Sequence, residues 1–446
     1  VTAAAPTPRP RGWHALSSAG GGLPLDLALY AVSAVFAAIT AVTSTLLPHR
    51  AWGGTAAVGY LVAALAVTVQ LLLRHRRPDS ALTGLSARWA ITAFAWATTT
   101  LLPLARQSAE RAAGRTDRAQ EEVLVVEQAG ARLVEHGTPY LGHDAIAALP
   151  ADERLLGYTP YQPGMALFGL PRAAAAGWWT DARVWFAVGT AVALVLAVAV
   201  LRRAGTGPAG RPAIGHAADL LRGVQAATVL PICALTLATG GDDLPVLALC
   251  LLALSLAATG RAGWSGLAVG LAGALKLFAW PVALVLIIWG ATRRAGLRVA
   301  AGAIGLPVAA LLPALLVDRD ALVENVLRFP LGHGLVTSPA QSPFPGHLIA
   351  SGLPGGRLIA AGLLVAAGAA IAGWLFRRPP RTAFAAALVC GYGLLAAIAL
   401  MPSTRFGYLL YPIALLAWAA AVRDPDRADA NPALSVNWQA MERGRA

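Results

Sequence analysis

Apolar stretches of about 20 residues, the length of helix that crosses a hydrocarbon core roughly 30 Å thick, recur from one end of the chain to the other. They lie at 25–47, 55–73, 85–104, 184–201, 217–237, 244–258, 264–289, 299–317, 358–375, 383–400 and 406–421. Short connectors rich in arginine separate them: Arg74/Arg76/Arg77, Arg202/Arg203/Arg211, Arg293/Arg294/Arg298 and Arg377/Arg378/Arg381. Such connectors stay on the cytoplasmic side of a membrane. With the polar, Pro-rich N-terminal tail (1–24) also inside, alternate crossings satisfy this rule as far as Arg261. There the stretch 264–289 conflicts with it, because one crossing would put Arg293, Arg294 and Arg298 outside. Lys276 and Pro281 interrupt that stretch near its middle, so the expectation is a hairpin of two half-helices with Lys276 at the outer turn. The C-terminal tail, 422–446, then falls inside. The long polar connectors 105–183 and 318–357, and the short ones at 240–245 and 402–405, all fall outside.

Composition agrees with this pattern. The chain is 57% hydrophobic and 13% charged, with mean hydropathy +0.62, too little charge to cover a soluble surface of this size. The expected fold class is an all-α polytopic membrane protein, a bundle of roughly 11–13 transmembrane helices over residues 25–421 with short helices in long outer loops. A net charge of +13 would fit a nucleic-acid partner if it were gathered on one domain. The arginines instead punctuate the apolar stretches, so topology explains them and no nucleic acid is implied. The N-terminus lacks a short apolar run with a cleavage site and reads as a tail. Cys233, Cys250 and Cys390 lie within apolar stretches and read as small buried hydrophobes. Of the 35 basic residues only Lys276 is lysine.

Several polar groups sit where chemistry at a membrane surface could use them. Glu121 and Glu122 open a predicted helix in the first outer connector, with Val126 and Ala129 on the same face as Glu122. A carboxylate there is favoured by the helix dipole and can serve as general base on a hydroxyl. Tyr140 follows in Gly137-Thr138-Pro139-Tyr140. Tyr158 and Tyr161 belong to a Tyr/Pro segment that would lie at the interface. Asp242 and Asp243 form the turn between two apolar stretches. Lys276 is an intramembrane cation, costly unless used; since arginine would snorkel equally well, a compact ammonium points to a phosphate contact. Asn325, Arg328, His333 and His347 in the second long connector, and Arg405 and Tyr408 after Met401-Pro402, complete the set. No metal-ligand spacing, serine-hydrolase elbow or phosphate-cradling glycine loop is present. No cofactor is implied, and a divalent metal is left open.

Taken in order, these features resemble a known family. An acidic residue seven before Ala129-Gly130, then Gly-x-Pro-Tyr, a Tyr/Pro segment, a Thr-Gly-x-Asp turn and Leu275-Lys276 before a proline resemble the GT-C membrane glycosyltransferases. The nearest resemblance is to glycosyltransferase family 87, the polyprenyl-phosphomannose-dependent mannosyltransferase-like group of actinobacteria. It spans roughly residues 121–411. The family's catalytic carboxylate corresponds to Glu122, with Val126 where a tyrosine is common; Glu121 and Glu127 are alternatives. Tyr161-Gln162-Pro163 stands for its Tyr-Pro-Pro, and Gly240-Gly241-Asp242-Asp243 for its Gly-Gln-x-Asp. The resemblance implies transfer of a hexose, expected to be mannose, from a polyprenyl-phosphate donor to a lipid or glycan acceptor at the outer face of the plasma membrane. It implies Glu122 and Glu121 as catalytic carboxylates and Lys276, Arg405 and His333 on the donor phosphate. Tyr140, Tyr158, Tyr161, Asp242, Asp243 and Tyr408 would then line the substrate. A lipid-linked sugar flippase and an inactive scaffold of the cell envelope are the alternative readings.

Overall fold

In the computed structural model, which describes residues 19–204 and 214–423, the apolar stretches are all helical. The first helices are α1 (Leu23–Thr43), α2 (Leu47–Arg76), and α3 (Leu85–Trp96) continued by α4 (Leu102–Ala112). The polar connector that follows carries α5 (Glu121–His136). Next come α6 (Ala182–Ala204), then α7 (Ile214–Thr228) and α8 (Pro231–Thr239), a pair bent by 44°. Four helices follow in quick succession: α9 (Asp243–Ala258), α10 (Ala262–Leu275), α11 (Trp280–Thr292) and α12 (Gly296–Val317). The second polar connector leads to α13 (Gly356–Arg377), α14 (Ala383–Leu400) and α15 (Leu410–Ala421).

Among the described residues six helices are long and apolar enough to cross a bilayer alone, or seven if the bent pair α7–α8 is counted as one span. Their surfaces carry many exposed Val, Leu, Ile and Phe side chains, the expected state of a face solvated by lipid rather than water. The protein is a multi-pass membrane protein. Helix α3–α4, continuous through its π-turn, is not among those six, and the other apolar stretches are shorter than expected for crossings. The longest, α9, has 16 residues and spans only about 24 Å at 1.5 Å per residue. The expected 11–13 transmembrane helices are therefore a mixture of full spans and short helices. The short ones, α9, α10, α11 and α15, meet at one place.

The stretch 264–289 is a hairpin. Gly266 near the start of α10 and Gly290 near the end of α11 both lie against Val299 of α12, while Gly273 lies against Pro307, two turns further on. The chain thus goes out along α10 and returns along α11. Lys276 occupies the tip with extended backbone (φ −154°, ψ 144°), and the Trp280 indole N–H closes the turn on Gly273 O at 3.2 Å. Glycine makes the α10–α12 contact possible. A Cβ on Gly270 would stand 2.0 Å from Gly302 O, the close backbone approach that small residues permit in lipid.

Breaks in the helices are matched by donors from α2. The π-turn at Ala97–Leu101 between α3 and α4 frees carbonyls, and the Trp52 Nε1–H donates to Thr99 O at 2.8 Å. Tyr60, two turns along the same face, donates its hydroxyl to Val229 O at the α7–α8 bend, at 2.7 Å. In lipid such carbonyls have no water to turn to.

The two ends of the bundle differ. At one end Arg202 stacks on Trp89 (4.8 Å), Arg88 and Arg222 converge on buried Asp26, Arg423 lies over Phe384 (4.6 Å) and Arg293 donates to Arg381 O. Arg211 and nearly all of the expected tails 1–24 and 422–446 lie outside the described residues. The polar connectors gather at the opposite end. There Tyr158 and Thr159 bond Glu324 and Asn325, and Ser342 N–H donates to Thr404 O.

Candidate active site

The tip of the α10–α11 hairpin forms the floor of the site. The Lys276 ammonium lies 3.0 Å from Asp242 Oδ2 and 2.7 Å from Asp243 Oδ1. All three side chains are almost fully buried. Asp243 opens α9, and the chain reaches it through Gly241, whose φ of +85° is open to glycine at little cost. The Tyr411 hydroxyl donates to Asp243 Oδ1 at 2.7 Å. Tyr161 and Tyr408 present their rings to Lys276, with centroids 5.2 and 5.7 Å from Nζ, close enough for cation–π attraction. Phe278 stacks on Tyr411 and tilts against Tyr408. A lone buried cation is costly; this one is held by two carboxylates and two aromatic faces.

The segment 158–169 forms one wall, docked on the hairpin backbone to backbone. Gln162 N–H donates to Leu275 O at 3.1 Å, and a Cβ on Gly164 would be 2.6 Å from Ala274 O. Tyr140 holds this segment from behind, its hydroxyl donating to Tyr161 O at 2.8 Å.

Helix α5 forms the roof. Val126 and Ala129, expected on the face of Glu122, are buried. Gly130 meets Gly169 so closely that a Cβ on Gly130 would lie 2.4 Å from Gly169 C, and one on Gly169 2.1 Å from Val126 O. Ala129-Gly130 is therefore the crossing point that seats α5 on the wall. This fixes Glu122 above the floor, where it pairs with Arg405 Nη1. Both are partly exposed, Arg405 at 34% and Glu122 at 16%. Burial alone would lower the Arg405 guanidinium; Glu122 and Tyr408 reverse that and hold it above its ordinary range. The Glu121 carboxyl is pushed up by partial burial and by the Glu122 charge. Burial, with the charges of Asp242 and Glu122, raises the Tyr161 hydroxyl, so floor, wall and roof share one electrostatic environment.

Glu122, Arg405, Asp242, Asp243, Lys276, Tyr161 and Tyr408 are thus brought together, with Glu121 beside them and Tyr140 behind. Two residues expected here are engaged elsewhere. The Tyr158 hydroxyl accepts from Leu335 N–H (2.8 Å) and bonds Glu324 (2.9 Å), and its ring stacks on Phe329 at 4.2 Å. His333 is exposed, and its amide donates to Arg328 O. Glu127 is held by two bonds from Arg111, at 2.7 and 2.6 Å, and accepts from Ala182 N–H. That fixes it as a strut between connector and bundle. Gln120 and Tyr411 are the residues that sequence reasoning passed over. A glutamine before a helix and a tyrosine inside an apolar stretch carry no signal until their partners are known. Among the described residues no three carboxylate, imidazole or thiolate side chains are grouped so as to hold a metal ion.

No curated protein and no solved structure shows a significant match to the chain. The sequence model of glycosyltransferase family 87 matches residues 158–402, which include the wall, the Asp242–Asp243 turn and the hairpin tip. That match covers more than half of the chain, and the protein belongs to glycosyltransferase family 87.

Proposed function

We propose that this glycosyltransferase moves a hexose, mannose by the family resemblance, from a polyprenyl-phosphate donor to a lipid or glycan hydroxyl on the outer face of the plasma membrane. The observation that carries the reading is the paired Glu122 and Arg405 above the Lys276 floor, at the end of the bundle opposite the arginine connectors. The positive-inside rule would put those connectors in the cytoplasm and the site outside. A donor anchored by its tail could then present its head group to the site without leaving the bilayer.

In this reading the Glu122 carboxylate takes the proton of the acceptor hydroxyl. The acceptor oxygen forms its bond to the anomeric carbon from the face opposite the phosphate. The bond from that carbon to the phosphate oxygen breaks, its electron pair leaves on polyprenyl phosphate, and the anomeric configuration inverts. Arg405 suits the departing phosphate best. Its guanidinium has five N–H donors, the Glu122 bond uses one of them, and it is the more accessible of the two cations in the site. Lys276 has two of its three N–H groups committed to Asp242 and Asp243, and adds positive charge from below. Those carboxylates suit the hydroxyls of the sugar. Tyr161 and Tyr408 offer ring faces to it.

The donor is tested by giving the purified, reconstituted protein radiolabelled polyprenyl-phosphate mannose or, separately, radiolabelled GDP-mannose, with envelope membranes as acceptor. Label is expected in product only from the lipid donor. Transfer only from the nucleotide sugar would overturn the reading.

A further inference from the structure

The roof and the floor of the site come from segments far apart in sequence, and one side chain touches both. Gln120 is the N-cap residue of α5, yet its side chain makes no capping bond. Serine, threonine, aspartate and asparagine are the residues that start helices well; a glutamine whose amide turns away from the helix serves something else. Gln120 N–H donates to Thr239 O at 3.0 Å, and the Thr239 hydroxyl donates to Gln120 Oε1 at 2.9 Å. The His49 ring, in the first turn of α2, lies near the same amide and in the field of Glu122. Gly240 passes so near that a Cβ there would be 2.6 Å from Gln120 Oε1 and 3.6 Å from Glu122 Oε2. Along one segment the next residues are Glu121 and Glu122; along the other they are Gly240, Gly241, Asp242 and Asp243.

We infer that Gln120 is a positioning residue of the transfer site. With Thr239 it sets the position of Glu122 relative to the Asp242–Asp243 turn. The inference rests on the proposed role of Glu122 as base. A bond through the backbone together with one through the side chain removes both sliding and rotation of the first turn of α5 relative to the Asp242 turn. A Cβ at Gly240 would displace the Gln120 amide from its place beside Thr239. Donor binding, through Arg405, Lys276 and the tyrosines, does not depend on this bond. The relation of the base to the bound sugar does, and a misplacement of about 1 Å can cost about 10²-fold in turnover.

The test uses the full chain in liposomes with the lipid donor and envelope membranes, comparing Gln120→Ala, Thr239→Val, the double variant, Thr239→Ser and Glu122→Gln. Gln120→Ala and Thr239→Val are expected to lower kcat about tenfold or more, with donor KM within about twofold and Tm unchanged. The double variant should be no worse than the poorer single one, since both remove the same bond. Thr239→Ser should restore turnover. If Gln120→Ala does not fold, Gln120→Asn, one methylene too short, should show the same loss. Wild-type kcat in Gln120→Ala or Gln120→Asn while Glu122→Gln is inactive would overturn the inference alone, as would losses that multiply in the double variant. Wild-type turnover in Glu122→Gln would remove the base reading, and this inference with it.

Discussion

Lys276 stands out in the sequence because every other cation in the chain is arginine, and the structure gives that choice a physical setting. A compact ammonium sits between Asp242 and Asp243 beneath two aromatic rings. Removing it leaves two buried carboxylates without a counter-charge. Lys276→Met is therefore expected to destabilise the protein by about 3–5 kcal/mol, read as a fall in the detergent-solubilised Tm; an unchanged Tm would contradict this. Glu121 makes the opposite prediction. Its carboxyl is raised above the ordinary 4.5 by partial burial and by Glu122, so the folded state disfavours its charge. Stability linked to it is complete below the ordinary value and is lost as pH rises through the raised one. Glu121→Gln should raise Tm at about pH 7 and leave it unchanged at about pH 4, and a lower Tm at neutral pH would contradict the assignment. Lys276 was legible from composition alone. Its partners were in view as candidates, but their pairing, across 33 and 34 residues, was not. The separate fates of Glu122 and Glu127 were also hidden. Both are glutamates of one helix, and only Arg111, far from the helix face in sequence, makes one of them a strut.

At the scale of elements, the hairpin at 264–289 was legible because two independent signals agreed: arginines on the wrong side of a single crossing, and a lysine and a proline in mid-stretch. The lengths of α9, α10, α11 and α15 were less so. An apolar run shows that a segment lies in lipid; it does not show whether the helix crosses fully or stops at a recessed site. Ala129-Gly130 was visible as a motif without a reason, and the reason lies in Gly169, on the other side of the contact. A Cβ at Gly169 would meet Val126 O at 2.1 Å. Gly169→Ala should therefore lift α5 off the wall and cost well over tenfold in transfer, with the membrane-inserted level of protein little changed. Wild-type transfer by Gly169→Ala would contradict the account of how Glu122 is seated.

Across the whole molecule, the spacing of arginines predicted one cationic end, and the structure gathers those connectors together by direct contacts: Arg202 on Trp89, Arg293 with Arg381, Arg423 on Phe384. The polar connectors and the whole candidate site lie at the other end. Membrane orientation can be read by thiol labelling with little background, since Cys233, Cys250 and Cys390 are all buried. A cysteine at exposed His136 or His333 should react with an impermeant reagent in intact cells, and one at exposed Arg294 or Arg377 only after permeabilisation. The reverse pattern would put the site in the cytoplasm and remove the lipid donor's head group from reach. That the chain belongs to a glycosyltransferase family was legible from the order of its motifs; which polar groups share one site was not, because connectors separated by long apolar stretches meet only in three dimensions. The central claim is that Glu122, seated on α5 above the Lys276 floor, takes the acceptor proton. It is tested most directly by transfer from radiolabelled polyprenyl-phosphate mannose by purified Glu122→Gln protein, with donor binding measured in parallel. The account predicts donor binding retained and turnover lowered by about 10²-fold or more; wild-type turnover would contradict it.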